Sequence, residues 1–212
     1  FANKYSLSCF KNQQEEKTIY AKMDDLVFVS QQAQLQFEKR YQVETNKNVV
    51  YNIIDKKAIL NSVSQNGKPQ KTDTLKLCCV GRLQSEKRFD RIIEVAKLLK
   101  KDKLDFKIQI IGDGSLKNEL QKLIVENNVE EYVVLTGFVK EPYALINQSD
   151  ILVSTSEVEG FSLVIAEALC LGKAIVTTNT SGPVELLNKG EFGIICEQNV
   201  DSLFLAIKDL IL

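Results

Sequence analysis

The sequence contains no histidine, and its cysteines form none of the spacings of a metal site. Histidine is the side chain whose ordinary pKa lies nearest to neutral, so acid–base chemistry in this chain must use a carboxyl group, a lysine, a cysteine or the substrate itself. The five cysteines are an odd number without a Cys-x-x-Cys pair, which favours reduced thiols in a cytoplasmic protein. These cysteines are Cys9, Cys78, Cys79, Cys170 and Cys196.

The sequence also lacks a long apolar run and an excess of one charge. No run approaches the roughly 20 residues that span a bilayer, and the first residues show no signal-peptide pattern. With 27 basic and 28 acidic residues, the net charge is −1, which gives no electrostatic reason to expect nucleic acid as a partner. We expect a cytoplasmic protein. This composition also allows attachment to the inner face of a membrane.

The C-terminal two thirds of the chain have the pattern of an α/β protein. From residue 75 onward, short β-rich runs alternate with helical periodicity, which predicts a Rossmann-like, doubly wound parallel sheet. The six predicted strands are residues 75–80, 106–111, 132–136, 151–154, 174–177 and 193–196. The predicted helices lie near residues 89–99, 116–126, 142–148, 162–171, 182–188 and 201–212.

The preceding segment has a weaker pattern. It contains a predicted strand at 26–30, a helix at 32–41, a second strand at 49–54 and a polar connector at 65–69. Two strands and one helix are too few to close a core alone, so this segment must pack on the C-terminal domain or on a further part of the protein. We divide the chain into residues 1–48, a linker strand and connector at 49–74, and a domain at 75–212.

The most informative stretch is 156–172. Its helical part is apolar on every side except at Glu167, so we expect the helix and Glu167 to be buried. A buried carboxylate needs either a structural partner, such as a core arginine, or a ligand. Ser162 is a predicted N-cap, and the N–H groups of the first turn would form an anion site facing Gly160. Glu159 lies just outside that end, either facing a ligand or as a solvated acid favoured by the helix dipole.

A second candidate phosphate-binding element follows the first strand of the C-terminal domain. Ligands of doubly wound sheets bind outside the carboxyl ends of the strands. Arg82 and Lys87 flank the turn at this position, either as solvated side chains or as two cations converging on a diphosphate. Together with the helix start at Ser162, they would neutralise a leaving diphosphate without Mg²⁺, because the sequence has no Asp-x-Asp motif.

A dinucleotide-dependent oxidoreductase is a poor interpretation. The segment Gly112-Asp113-Gly114 begins like a dinucleotide-binding fingerprint, but Lys117 occupies the position of the third glycine. The segment follows the second strand rather than the first, and the next strand does not end in an acid that could bind a ribose.

The motifs, taken in order, resemble the GT-B retaining glycosyltransferases of family GT4. They are Gly81-Arg82-Leu83 with Lys87, Gly112-Asp113-Gly114, Gly137-Phe138-Val139, Glu159-Gly160-Phe161 with Glu167-Ala168-Leu169, Gly172-Lys173-Ala174 and Ser181-Gly182-Pro183. The resemblance is strong over 75–212 and weaker over 25–54. It implies the nucleotide-sugar-binding, C-terminal half of a GT-B fold at 75–212, and a remnant of the acceptor-side domain at 1–48.

The resemblance also implies a role for each candidate residue. Glu159 would contact the donor sugar near its reacting carbon, and Glu167 would hold the ribose hydroxyls. Arg82 and Lys87 would bind the diphosphate and stabilise its departure, so that these two and Glu159 are the expected catalytic residues. The other expected donor-binding positions, which act largely through the backbone, are Gly137, Val139, Gly160, Phe161, Ser162 and Leu163.

The implied reaction is transfer of a sugar from a nucleoside diphosphate, preferably UDP, with retained anomeric configuration. The acceptor would be a glycan, a lipid-linked glycan or a protein, and no metal or other cofactor is implied. Most of the first domain of such an enzyme is absent, so we expect a piece of a longer protein or half of a two-chain enzyme, inactive or weakly active alone. The alternative is a non-catalytic nucleotide-binding or assembly subunit of the same fold.

Overall fold

The computed structural model describes residues 13–64, termed the N-terminal segment, and residues 72–211, termed the main domain. The strands are β1 (Asp25–Phe28), β2 (Asn46–Val49), β3 (Leu75–Val80), β4 (Phe106–Ile111), β5 (Val133–Gly137), β6 (Ile151–Ser154), β7 (Ala174–Thr178) and β8 (Ile194–Cys196). The helices are α1 (Gln13–Tyr20), α2 (Gln31–Arg40), α3 (Lys56–Ser64), α4 (Phe89–Lys101), α5 (Lys117–Glu126), α6 (Tyr143–Gln148), α7 (Leu163–Cys170), α8 (Ser181–Leu186) and α9 (Val200–Asp209). Short 3₁₀ turns occupy Ser85–Lys87 and Asn188–Gly190.

The main domain contains one parallel sheet with the strand order β5-β4-β3-β6-β7-β8. The six strands predicted from the sequence are confirmed, with ends that differ by at most one residue. From β3 the chain builds outward through β4 and β5, and it then returns to place β6 on the other side of β3. The carboxyl ends of β3 and β6 therefore border a topological switch point, where open α/β sheets bind their ligands.

Helices cover both faces of this sheet, because alternate residues of each strand point to opposite sides. Leu77 and Cys79 belong to the core under α4, α5 and α9, whereas Cys78 belongs to the core under α6 and α7. Helix α9 packs on α4, and its buried stripe is Leu203, Ala206 and Ile207. The predicted Rossmann-like, doubly wound fold is confirmed.

The described cysteines are free thiols. Cys78 and Cys79 are fully buried, and desolvation raises the pKa of Cys78 to about 11. Cys170 and Cys196 are half-buried, so only two of the described cysteines are true core residues. Cys9 and the polar connector predicted at 65–69 lie outside the described residues.

The N-terminal segment pairs β1 with β2 in a two-stranded parallel sheet. Its core consists of five buried side chains, which are Phe28, Ala33, Phe37, Tyr41 and Val43. The rings of Phe28, Tyr20 and Tyr41 each lie about 5 Å from the Phe37 ring, measured between centroids. Helix α2 packs on α8, and α3 packs on α6 and α7, so the segment rests on the main domain.

One sequence prediction for this segment needs correction, and two of its helices were missed. The second strand covers Asn46–Val49 rather than 49–54, because β1 ends at Phe28 and the last ladder bond runs from the Val50 N–H to the Phe28 carbonyl. The apolar run beyond that point continues as an unpaired chain in which Ile53 is 95% exposed. Helices α1 and α3, which flank these strands, were not predicted.

Candidate active site

The turn after β3 is built by close packing of two backbone loops. The Gly81 N–H donates to the Ile111 carbonyl, and the Leu83 N–H donates to the Asp113 carbonyl, at 3.0 and 2.9 Å. A Cβ atom at Gly112 would lie 1.8 Å from the Gly81 carbonyl oxygen, and one at Gly114 would lie 2.5 Å from the Leu83 carbonyl oxygen. The two glycines are therefore required for this approach of the loops, which accounts for a Gly-x-Gly sequence without a dinucleotide.

A cavity of about 250 Å³ lies at the switch point between β3 and β6. Its walls come from three elements: the end of β3 and its turn, the end of β6 and its loop, and the start of α7. The predicted site residues that line it are Arg82, Lys87, Glu159, Phe161, Ser162 and Leu163. The structure thus brings together two stretches that are more than 70 residues apart in the sequence.

Lys87 and Glu159 meet directly in this cavity. The Lys87 ammonium lies 2.6 Å from a Glu159 carboxylate oxygen, and both side chains are largely buried, with exposed fractions of 21% and 15%. The Ser156 hydroxyl lies 3.5 Å from the same oxygen. Glu159 is therefore an ion-paired side chain inside the cavity and not a solvated loop acid.

Arg82 occupies the rim of the cavity. Its side chain is 74% exposed and lies 3.7 Å from the Glu86 carboxylate, a pair that contributes little at the surface. Arg82 and Lys87 therefore do not converge in this structure. Because its ion pair with Glu86 is exposed and weak, the Arg82 guanidinium can turn toward a ligand at low cost.

The loop that joins β6 to α7 is fixed by its backbone and by neighbouring side chains. The Glu159 carbonyl accepts hydrogen bonds from the Ser181 hydroxyl and the Gly182 N–H, both at 3.0 Å. A Cβ atom at Gly182 would lie 2.6 Å from the Phe161 Cα, so the loop lies against the backbone of α8. At the other end of the loop, the Thr155 hydroxyl donates to the Lys87 carbonyl at 2.7 Å.

Ser162 caps α7, as the sequence predicts. Its backbone is extended and its hydroxyl accepts from the Ile165 N–H at 3.4 Å, which is a long bond. The first N–H groups of an α-helix have no partner within the helix, and they carry the positive end of its dipole. Since Ser162 and Leu163 line the cavity, the start of α7 offers such groups to an anion bound there.

The expectation that α7 is buried on every side is wrong. Leu163 is 48% exposed, and Glu167 is half-buried rather than buried. The Glu167 carboxylate accepts a long hydrogen bond from the Tyr143 hydroxyl, at 3.4 Å, so its described partner is a tyrosine of α6 and not a core arginine. Partial desolvation raises the pKa of Glu167, and the bond from Tyr143 partly offsets this.

Four predicted positions do not line the cavity, and Gly137 and Val139 are two of them. Gly137 ends β5 with a left-handed φ of +85°, and its carbonyl accepts from the Gly112 N–H at 2.9 Å. Val139 packs against the core under α6 and α7. Neither residue lines the cavity, and neither does Gly160 or Glu167. The structure therefore brings six of the ten predicted site residues together in the cavity lining and leaves these four outside it.

Several polar residues of the site were not predicted. Thr155 and Ser156 line the cavity and are buried, and Tyr143 contacts Glu167. The signal for the first two was available, because both directly follow β6 at the carboxyl end of the sheet. Tyr143 had no such signal, since its contact with Glu167 depends on how α6 packs beside α7.

Two further features of the described part of the chain concern metals and membranes. Over residues 13–64 and 72–211, no three acidic, cysteine or histidine side chains lie close enough together to hold a metal ion. In the same ranges no helix combines the length and the apolar character that a membrane span requires.

A sequence model of the family described as "Glycosyl transferases group 1" matches residues 62–212. The chain belongs to this family. The match confirms the resemblance to the GT4-like family, and it covers all of the main domain. A curated relative from Campylobacter jejuni is N-acetylgalactosamine-N,N'-diacetylbacillosaminyl-diphospho-undecaprenol 4-alpha-N-acetylgalactosaminyltransferase, which is 36% identical over 168 residues. That alignment covers 77% of this chain and 44% of the relative, so the chain spans less than half of the relative's length.

Solved glycosyltransferase structures confirm the fold of this group 1 chain. A mutant of TarM from Staphylococcus aureus, in complex with fondaparinux, alpha-GlcNAc-glycerol and UDP, matches 92% of this chain and 40% of its own, with a TM-score of 0.73 and 24% identity. HepE from Anabaena, in complex with UDP and glucose, matches 94% of this chain and 58% of its own, with a TM-score of 0.76 and 21% identity. The main domain has the Rossmann-like architecture of the C-terminal half of a GT-B fold.

Proposed function

We propose that the chain is the donor-binding part of a retaining glycosyltransferase that takes its sugar from a UDP-sugar. The observation that carries this proposal is the placement of Lys87 and Glu159, 2.6 Å apart, in a cavity at the switch point of the sheet. The capped start of α7 borders the same cavity. A cation, a carboxylate and a helix N-terminus in one cavity suit a ligand that joins a diphosphate to a sugar.

The departure of a nucleoside diphosphate builds negative charge on its phosphates. Lys87 and the first N–H groups of α7 would stabilise this charge from fixed positions, and Arg82 would add its charge from the rim. This supports a reaction that does not need a divalent metal. The hydrogen bond from the Ile165 N–H to the Ser162 hydroxyl is long, so this N–H could bind a phosphate oxygen in place of the hydroxyl.

In the proposed complex, Glu159 faces the sugar near its reacting carbon. Its carboxylate is paired with Lys87 in the cavity, so a phosphate would have to share the ammonium with Glu159. The carbonyl of the same residue is anchored by Ser181 and Gly182, so the backbone that carries the carboxylate stays fixed when its ion pair is loosened.

The nucleoside would extend from the cavity along α7. Glu167 lies in the second turn of that helix and is half-buried, so its carboxylate is available to the ribose hydroxyls. The backbone at Gly137 and Val139 would then meet the base. UDP is preferred because TarM and HepE, which share the fold, were both solved with UDP.

The proposed acceptor is a glycan, a lipid-linked glycan or a protein. The name of the Campylobacter relative includes a diphospho-undecaprenol, which supports a lipid-linked acceptor in polysaccharide or glycan synthesis and a place at the inner face of a membrane. Because the chain spans 44% of that relative, the acceptor site would lie largely in a further domain or partner chain. Alone, the chain would bind donor but transfer sugar slowly, since water exclusion needs both walls of the cleft.

Isothermal titration with UDP, GDP, ADP and NAD tests the donor assignment. We expect UDP to bind best, and Lys87→Ala and Glu167→Ala to weaken its binding by about 1–3 kcal/mol each, as for a lost hydrogen bond to a charged group. Lys122→Ala removes an exposed lysine of α5 and serves as the matched control. Preferred binding of NAD, or equal losses in the control, would contradict the assignment.

A further inference from the structure

One contact of the proposed donor site comes from the N-terminal segment. The Ser30 hydroxyl donates a hydrogen bond of 2.7 Å to the Gly160 carbonyl, across 130 residues of sequence. The Ser30 hydroxyl oxygen also accepts a hydrogen bond from the Ala33 N–H at 3.1 Å, and Ser30 therefore caps α2. Ser30 is 1% exposed, and its hydroxyl acts both as a donor and as an acceptor.

The Gly160 carbonyl matters because of the peptide unit to which it belongs. In a trans peptide, the carbonyl and the following N–H point in opposite directions, and the described residues contain no cis peptide. The bond from Ser30 therefore fixes the Phe161 N–H on the side of the loop that faces away from the N-terminal segment. Phe161 lines the cavity, and its backbone is part of the proposed phosphate and sugar contacts.

Ser30 is itself held in place by the main domain. The Glu185 carboxylate of α8 accepts from the Gln32 N–H at 2.9 Å and from the Tyr51 hydroxyl at 2.6 Å. This carboxylate lies at the start of α2, where negative charge is favoured. Glu185 thus anchors α2, the helix that Ser30 caps. Gly182, three residues earlier in α8, contacts the loop between β6 and α7.

We propose that Ser30 is a positioning residue of the donor site: it orients the Gly160–Phe161 peptide, and through it couples the N-terminal segment to nucleotide binding. The coupling to nucleotide binding rests on the proposed function. Two carbonyls in succession, those of Glu159 and Gly160, are then fixed points in the middle of the loop, one held by α8 and the other by the N-terminal segment.

The test combines amide hydrogen exchange of the free chain with UDP titration. Ser30→Gly removes the hydroxyl but costs the helix cap only a few tenths of a kcal/mol, since glycine is an acceptable N-cap. Ser30→Thr retains the hydroxyl and is the rescue variant. Thr45→Val is the matched control, because it removes another hydroxyl-to-carbonyl bond of the N-terminal segment, from Thr45 to Tyr20, that does not reach the loop.

We expect Ser30→Gly to speed exchange of the Phe161 amide and to weaken UDP binding, each by about two- to tenfold, the range for one neutral hydrogen bond. Ser30→Thr should restore both values, and Thr45→Val should change neither. Ser30→Ala provides a second removal of the hydroxyl if the glycine variant folds poorly. Equal behaviour of Ser30→Gly and Thr45→Val, or faster exchange with unchanged UDP affinity, would overturn the positioning role.

The two arms separate this proposal from the proposed function. If the unmodified chain binds no UDP, the proposed function fails, and the exchange rates then decide alone whether Ser30 orders the loop. Unchanged exchange in Ser30→Gly would overturn that ordering, and faster exchange would support it.

Discussion

The main domain and the N-terminal segment differ in how each is stabilised. The main domain buries both faces of its sheet, and strands such as β4 and β6 are apolar over most of their length. The N-terminal segment has one small aromatic core and leaves apolar side chains such as Val27 exposed, at 63%. Because its own core is this small, the segment owes much of its order to contacts with the main domain, whereas the main domain has a core of its own.

The largest expected effect comes from breaking each core separately. Ile108→Ala removes a fully buried side chain of β4 and should lower the free energy of unfolding by about 2–5 kcal/mol. Phe37→Ala should cost about 3–5 kcal/mol locally but loosen only the N-terminal segment. Amide hydrogen exchange measures both regions in each variant. Loss of protection in β4 of Phe37→Ala to the same extent as in α2 would show that the two regions unfold as one unit.

A smaller effect is expected from separating the two regions at their contact. Glu185→Ala leaves the Gln32 N–H and the Tyr51 hydroxyl without their acceptor, which should cost about 1–3 kcal/mol of protection in α2. Glu191→Ala, which removes an exposed carboxylate beyond α8, is the control and should leave α2 unchanged. Equal protection of α2 in both variants would contradict the dependence of the segment on the main domain.

The smallest effect concerns Glu167 and the pH. Burial raises the pKa of this carboxyl above its ordinary value of 4.5, so its contribution to stability is fully present below about pH 4.5 and is lost as the pH rises through the raised pKa. Glu167→Gln cannot ionise. The difference in melting temperature between this variant and the unmodified chain should therefore shift in favour of the variant as the pH rises from 4 to 7. The exposed Glu119→Gln is the control. An equal difference in melting temperature between the two proteins at pH 4 and at pH 7 would contradict desolvation of the Glu167 carboxylate as the cause.

The two regions also differ in how far the sequence predicts them. In the main domain, alternating β-rich and helical patterns locate every strand, because each element is long enough or apolar enough to show its period. In the N-terminal segment, the run at 49–54 has the composition of a strand, but beyond Val49 it pairs with no strand in the part of the chain that the structure describes. The composition of a run predicts its burial and its strand propensity. Whether the run pairs depends on the neighbouring strand, and here β1 ends at Phe28.

The candidate site shows the same limit. The local features, such as the cap at Ser162 and the carboxylate at Glu159, follow from the sequence around them. The ion pair of Glu159 with Lys87 follows only in outline, from the rule that ligands bind at the carboxyl ends of strands. The half-burial of Glu167 and the bond from Ser30 to Gly160 could not be predicted, since both depend on how separate elements pack together.

The most direct test of the central claim is amide hydrogen exchange of the unmodified chain with and without saturating UDP. A site at the switch point predicts that UDP protects residues 81–88 and 155–163 most strongly, with less change in α9 and in β8. Protection confined to the N-terminal segment or to α9, or protection absent from both predicted stretches while UDP is bound, would contradict the placement of the donor site.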